Sequence, residues 1–113
     1  MAWLLRDGDV LAALEDRRRG WQSTLQGALV LTPPAFVQTM TRSSGAGGLD
    51  VAWCKPATLD GGDAGFLVVR IAAVRPRRAA APRLGARTVV VAPAGTFERW
   101  RLRVGDHLEV RGP

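Results

Sequence analysis

The frequent prolines and glycines are the feature of this sequence that most limits its fold. Seven prolines and thirteen glycines interrupt a chain of 113 residues. Because these residues end helices and favour turns, we expect many short elements rather than a few long helices. Apolar residues make up 47% of the chain and charged residues 23%, a composition typical of globular proteins. We therefore expect one domain, residues 1–113, built mainly of strands.

Turn residues and apolar runs together predict where the strands lie. Asp7-Gly8 separates two apolar runs, and this pair tolerates the positive φ angles of a tight hairpin turn. Segment 16–27 is polar and predicts a short helix or a loop. Segment 75–87 contains Pro76 and Pro82 and predicts an extended surface crossover. The predicted strands are 2–6, 10–15, 28–32, 36–41, 49–55, 66–74, 88–92 and 106–112.

Side chains alternate in two of these strands. The last strand is expected to turn Leu108 and Val110 inward, with His107, Glu109 and Arg111 outward. The strand at 49–55 has the same period and predicts one buried face. Its first face carries Leu49, Val51 and Trp53, and its second face carries Asp50, Ala52 and Cys54.

The segment after residue 95 permits a strand or a helical turn. A strand would set Trp100, Leu102 and Val104 against the arginines between them. A helical turn would be capped by Thr96 and would place Phe97 and Trp100 on one face. We prefer the helical turn, with Gly105-Asp106 reversing the chain into the last strand.

An ordered set of motifs runs along nearly the whole chain. They read RRRGWQ, GALVLTPP, VQT, LDVAWC and VVVAPAGTFERWRLRVGDHLEVRG. The most specific residues are Ala94-Gly95, Arg99, Leu102 and Gly105-Asp106. On these motifs the chain resembles the small bacterial and archaeal family known as domain of unknown function 192. The resemblance implies a mainly β fold, a compact jelly-roll-like β-sandwich or barrel with one or two short helical turns, and brings no established activity.

The chain departs from that family pattern at a predicted cleft. The family usually has a histidine where this chain has Gln38 and a glutamate where it has Val91, whereas Thr39 and Asp50 are kept. Neither glutamine nor valine can act as a general base, so chemistry at this place is weakened. The glycine and serine stretch at 41–48 is either a mobile rim beside the pocket or a neutral loop insertion.

The inventory of chemically reactive residues is small. Cys54 and His107 are the one cysteine and the one histidine, too few for a zinc site, and no cofactor motif is present. Cys54 stands in an apolar run, which favours a small buried hydrophobe over a nucleophile. Asp60 and Asp63 lack the order of a calcium loop and predict a plain turn. We expect neither a metal nor a cofactor.

The positive charge of the chain suggests an anionic partner. Sixteen lysines and arginines against ten acids give a net charge of +6. A general coding bias towards arginine would produce the same excess without a function, and composition alone favours this explanation. Residues 17–19 form one arginine cluster. The second cluster, which could contact nucleic-acid phosphates without reading sequence, contains Arg75, Arg77, Arg78, Arg83 and Arg87.

Three hypotheses for function follow. The first is a non-catalytic binding or interaction module whose rim is formed by 37–50 and the turns near 60–63 and 93–95. Its ligand, a small molecule or a protein, would contact Gln38, Thr39 and Asp50. The second is a weak, non-specific nucleic-acid binder that uses the arginine clusters. The third is a hydrolase-like enzyme that requires Asp50 and His107 to lie within hydrogen-bonding reach.

The expected setting of the protein is cytoplasmic. The apolar run at 2–5 is too short for a signal peptide, and no segment approaches the roughly 18 apolar residues that span a bilayer. Strand 2–6 is a candidate for an exposed sheet edge. The protein is therefore expected to be a monomer or a dimer paired through this edge.

Overall fold

The computed structural model describes residues 2–14, 27–31, 48–59, 61–74 and 88–112. Over these residues the chain forms seven strands and one short helix, which confirms the mainly β class. The predicted strand at 36–41, the polar segment 16–27 and the crossover 75–87 lie largely or wholly outside the described residues. The elements are β1 (Trp3–Arg6), β2 (Asp9–Ala13), β3 (Leu29–Leu31), β4 (Leu49–Thr58), β5 (Ala64–Val74), β6 (Thr88–Pro93), α1 (Thr96–Trp100) and β7 (His107–Arg111).

The strands of the described residues form one sheet in the order β2-β1-β7-β5-β4-β6-β3, and all neighbouring strands run antiparallel. Asp7 and Gly8 have φ angles of 51° and 83°, as the predicted turn between β1 and β2 requires. The expectation that strand 2–6 is an edge is wrong. β1 pairs with β2 on one side and with β7 on the other, because β7 returns from α1 to fill that position.

Residues 49–54 of β4 are buried on both faces, which corrects the prediction of one buried face. Its alternation is as predicted, but Asp50 and the two small residues opposite the large apolar ones are also buried. The first core cluster lies on one face of the central strands and is made by Leu49, Val51, Trp53, Val74, Val89 and Val91. Side chains on both faces thus bury apolar surface, as is typical of a strand inside a layered protein.

The second core cluster lies on the opposite face of the sheet. Every one of the seven strands contributes a side chain to it, and so does α1. At its centre are Leu4, Cys54, Val90 and Leu108, each fully buried. The second core cluster thus joins side chains from both ends of the strand order.

The two outer strands also touch through their backbones. Leu14, which follows β2, forms an isolated parallel bridge with Ala28, which precedes β3. The Ala28 N–H donates to the Ala13 carbonyl at 3.3 Å. This single bridge links β2 and β3 at one point beside the second core cluster.

Strand β7 follows its predicted alternation only in part. Leu108 is fully buried, but Val110, predicted to point inward, is 40% exposed. Val110 pairs with Leu4 near the end of β1, where the sheet reaches its margin. A residue at a sheet margin has neighbours on fewer sides, so the period alone does not bury it.

Candidate functional site

The start of α1 is held by a side chain from another strand. The Phe97 N–H donates to Oδ2 of buried Asp50 at 3.0 Å. Gly95, with a φ of 90°, is the N-cap and has no side chain to cap with. The prediction that Thr96 caps the helix is wrong, because Thr96 is already the first helical residue. Asp50 supplies the acceptor instead, and its negative charge lies at the favourable end of the turn.

The end of α1 forms a Schellman motif. The Leu102 N–H donates to the Phe97 carbonyl at 3.0 Å, and the Arg101 N–H donates to the Glu98 carbonyl at 3.1 Å. Phe97 and Leu102 both pack in the second core cluster, which is the apolar contact that usually accompanies this motif. The residue in the left-handed position, where glycine is usual, is Arg101, with a φ of 55°.

The guanidinium group of Arg6 binds the backbone at the end of α1. Arg6 Nη2 donates to the Trp100 carbonyl at 2.7 Å, and Nη1 reaches the Arg101 carbonyl at 3.3 Å. Arg6 Nη1 also forms an ion pair with Asp106 Oδ2 at 3.3 Å. The same Oδ2 accepts the Arg103 N–H at 2.8 Å. Arg6 and Asp106 therefore fix the backbone of 100–106 from opposite sides.

The motif residues that the structure describes have structural roles here. Gly95 and Gly105 have φ angles of 90° and 98°, which disfavour side chains. Leu102 is 8% exposed and Asp106 is half-buried in its contacts with Arg6. The residues of 94–106 thus hold both ends of α1, and Asp50 on β4 adds a hydrogen bond at the start of the helix.

Asp50 and His107 do not meet. Strand pairing aligns His107 with Leu67 on β5, and Leu67 with Lys55 on β4. Asp50 lies five residues from Lys55 along β4, a separation of about 15 Å before the two strand spacings are added. His107 is exposed and Asp50 is buried. The enzyme hypothesis required hydrogen-bonding reach between these residues, and the register prevents it.

The predicted rim is divided between the two ends of β4. Residues 48–50 adjoin 93–95, since Leu49 pairs with Pro93 and the Ala94 N–H donates to the Gly48 carbonyl at 3.3 Å. The turn at 61–63 follows the far end of β4, about 30 Å away by the rise of a strand. These two places cannot line one rim. Gln38 and Thr39 lie outside the described residues.

The described chain brings a different set of arginines together at the end of α1. Arg99, Arg101 and Arg103 are exposed and surround the end of α1. Their alternate spacing is visible in the sequence. It is typical of a strand, however, and we prefer a helical turn for this segment. The predicted cluster, Arg75, Arg77, Arg78, Arg83 and Arg87, lies outside the described residues, as do residues 17–19.

Buried Cys54 is chemically protected. It has no exposed surface, and its Sγ approaches the Ala52 carbonyl at 3.7 Å. Burial raises the pKa of the thiol from 9.0 to about 12. The prediction of a small buried hydrophobe is confirmed. In the part of the chain that the structure describes, no three His, Cys, Asp or Glu side chains group as metal ligands do.

No family model matches the chain, and neither a curated protein nor a solved structure is significantly similar to it. The resemblance to domain of unknown function 192 stays a prediction. Among the described residues, no helix has the length and apolar character needed to cross a membrane.

Proposed function

We propose that this protein is a small β-rich binding or interaction module without catalysis. Its binding face is the end of the sheet at 48–50, 93–97 and the end of α1. The observation that carries the proposal is the use of Asp50: its carboxylate accepts the Phe97 N–H inside the fold and supports the turn. An acceptor engaged in this way supports the turn, which fits a structural role.

The remaining reactive groups support the absence of catalysis. Asp106 is engaged with Arg6 and the Arg103 N–H, and Cys54 is buried. His107 is exposed and separated from Asp50 by the register of the strands. Gln38 and Thr39, which lie outside the described residues, remain proposed ligand contacts.

A fragment screen by nuclear magnetic resonance tests this proposal. Isotope-labelled protein is mixed with a library of small polar and aromatic fragments, and the backbone amide shifts are recorded. Binding fragments are expected to move the amides of Gly48, Asp50, Ala94 and Gly95, with no chemical change in the fragment. Shifts confined to the 61–63 turn would contradict the binding face. Turnover of an ester or phosphoester substrate, lost in His107→Ala, would contradict the absence of catalysis.

Non-specific nucleic-acid binding is the second candidate. It is supported by the net charge of +6 and by exposed arginines at the end of α1. The arginine cluster within 75–87, which lies outside the described residues, remains part of this candidate. This candidate predicts association with any duplex that falls steeply as salt is added.

We further propose that the sheet closes into a compact, jelly-roll-like sandwich or barrel. The bridge between Leu14 and Ala28 and the cluster shared by all seven described strands support closure. Amide hydrogen exchange offers a test: the Ala28 N–H, which donates to Ala13, is expected to exchange as slowly as amides of β4. Exchange at the rate of an open strand edge would contradict closure.

A further inference from the structure

Arg101 occupies a backbone position that its residue type disfavours. Its φ of 55° is left-handed, and the Schellman motif around it is normally closed by glycine. A side chain in this conformation costs stability through contact with the following carbonyl. Its N–H serves the helix end, and its carbonyl accepts Arg6, but neither contact needs an arginine side chain. Among the described residues, therefore, no contact requires an arginine side chain at this position.

The arginine side chains at this turn are not neutralised by acids. Within the described residues, neither Arg101 nor Arg103 forms a side-chain hydrogen bond or an ion pair, and both are exposed. Arg99 donates only to the neutral Thr96 hydroxyl, at 3.3 Å. The nearby Asp106 carboxylate is already paired with Arg6. Glu98 is the remaining exposed acid of this segment, so positive charge exceeds negative charge.

The backbone holds these cations close together. Arg101 and Arg103 stand on either side of buried Leu102, and two residues of chain span at most about 7 Å. Their guanidinium groups can therefore approach within the Debye length of about 8 Å at physiological salt, where their potentials add. Because Arg6 and Asp106 fix residues 100–106, the chain loses little conformational entropy when a ligand binds.

We propose that Arg99, Arg101 and Arg103 form a contact surface for the phosphate backbone of nucleic acid. This surface rests on the proposed binding function and names its partner class. Arginine presents a planar fork of donors that matches phosphate oxygens, and a net charge of +6 attracts a polyanion from a distance. Contacts to phosphate oxygens position a protein on a duplex and carry no sequence information directly. Contact is therefore independent of sequence.

Fluorescence anisotropy with a labelled duplex of arbitrary sequence, from 50 to 200 mM salt, tests the proposal. Three phosphate contacts give a slope of log K against log salt of about −2.7. Arg101→Gly and Arg103→Ala are each expected to weaken binding about 3- to 10-fold and to reduce the slope by about 1. The matched control, Arg111→Ala, removes an arginine that pairs with Glu109 at the other end of β7 and is expected to leave the slope unchanged.

Arg101→Gly is expected to change stability and duplex affinity in opposite directions. Glycine relieves the left-handed strain, so the melting temperature is expected to rise by about 4 °C while duplex affinity falls. Glu98→Gln is expected to tighten binding about 2- to 3-fold by removing the remaining repulsive charge. Opposite signs for stability and affinity in one variant separate loss of contacts from loss of folding.

Several outcomes would overturn this assignment. Wild-type protein that does not bind the duplex contradicts it directly. Binding that is unaffected by Arg101→Gly and Arg103→Ala would assign the contact to other arginines. A poly-glutamate peptide that binds as tightly as the duplex would identify an acidic protein as the partner class. In each case the fragment screen still decides separately whether the end of the sheet is a binding face.

Discussion

Strand β4 and the segment 96–106 differ in what holds them. Strand β4 lies between β5 and β6 and buries side chains on both faces, so apolar contact stabilises it. Segment 96–106 has one short helix and few buried side chains. Its form depends on backbone N–H groups that donate to Asp50 and Asp106 and on backbone carbonyls that accept from Arg6. Strand β4 is thus held mainly by apolar contacts, whereas segment 96–106 carries exposed charged side chains.

The two regions differ in what they contribute to the protein, stability in β4 and an exposed surface in 96–106. A strand buried on both faces tolerates little change in its core side chains. The polar segment connects β6 to β7, and exposed turns of this kind can meet another molecule. If this division holds, changes in β4 should alter stability, and changes in 96–106 should alter surface properties as well.

The largest expected effect concerns Cys54 in β4. At pH 8 a thiol reagent should modify native protein at least about 10³-fold more slowly than unfolded protein, because the sulfur is buried and its pKa is raised to about 12. Labelling is followed by mass spectrometry with and without urea. Fast labelling of native protein would show that β4 opens locally.

The same thiol gives a pH dependence. Between pH 9 and 12 the unfolded chain releases the proton, whereas the folded chain keeps it until its higher pKa of about 12. The stabilising contribution is therefore complete below pH 9 and is lost as pH rises towards 12. Urea unfolding of wild type and Cys54→Ala from pH 7 to 10.5 measures it. Parallel curves for the two proteins would contradict the raised pKa.

Trp53→Ala should show the apolar character of β4 most clearly. Trp53 is 2% exposed in the first core cluster, with Arg70 stacked over its ring at 5.3 Å. We expect a loss of about 3–5 kcal/mol in the free energy of unfolding by urea. Trp3, which is 41% exposed, is the matched control. Trp3→Ala should cost about 1 kcal/mol, and equal losses would remove the distinction.

Asp50→Ala tests the link between the two regions. The change leaves the Phe97 N–H without its acceptor and should lower the free energy of unfolding by about 1–3 kcal/mol. Exposed Asp63 is the control, and Asp63→Ala should change it by less than about 0.5 kcal/mol. If Asp50→Ala keeps full stability and abolishes fragment binding, Asp50 is a ligand contact rather than a support.

The smallest effect is expected for Arg6→Lys. A lysine cannot reproduce the forked contacts to the Trp100 and Arg101 carbonyls, so the free energy of unfolding should fall by about 1 kcal/mol. Arg111→Lys, in an exposed ion pair, should change it by less than about 0.5 kcal/mol. Equal values for both variants would mean that 96–106 does not depend on Arg6.

Local patterns predicted most of the described elements. Asp7-Gly8 predicted the first hairpin, and the alternation of 49–55 predicted which side chains share a face of β4. The helical turn at 96–100 followed from the spacing of Phe97 and Trp100. These features depend on neighbours a few residues apart, and such neighbours are visible in a sequence.

Long-range features were not predictable in the same way. The two-sided burial of β4 depends on which elements cover it, and the interior position of β1 depends on where β7 returns. Asp50 and Phe97 are 47 residues apart, and Arg6 and Trp100 are 94 apart. No local signal connects such pairs. Arg99, Arg101 and Arg103 were visible as a spacing, but only the fold shows them unpaired at an exposed turn.

The sequence by itself determined a mainly β chain with its first turn, its strand periods and one helical turn, because these follow from residue type and short-range sterics. Tertiary structure decided the order of the strands, the end of the sheet to which each turn belongs, and the partner of each buried polar group. Those outcomes depend on contacts between distant residues, which form only when the apolar faces of the whole chain are buried together.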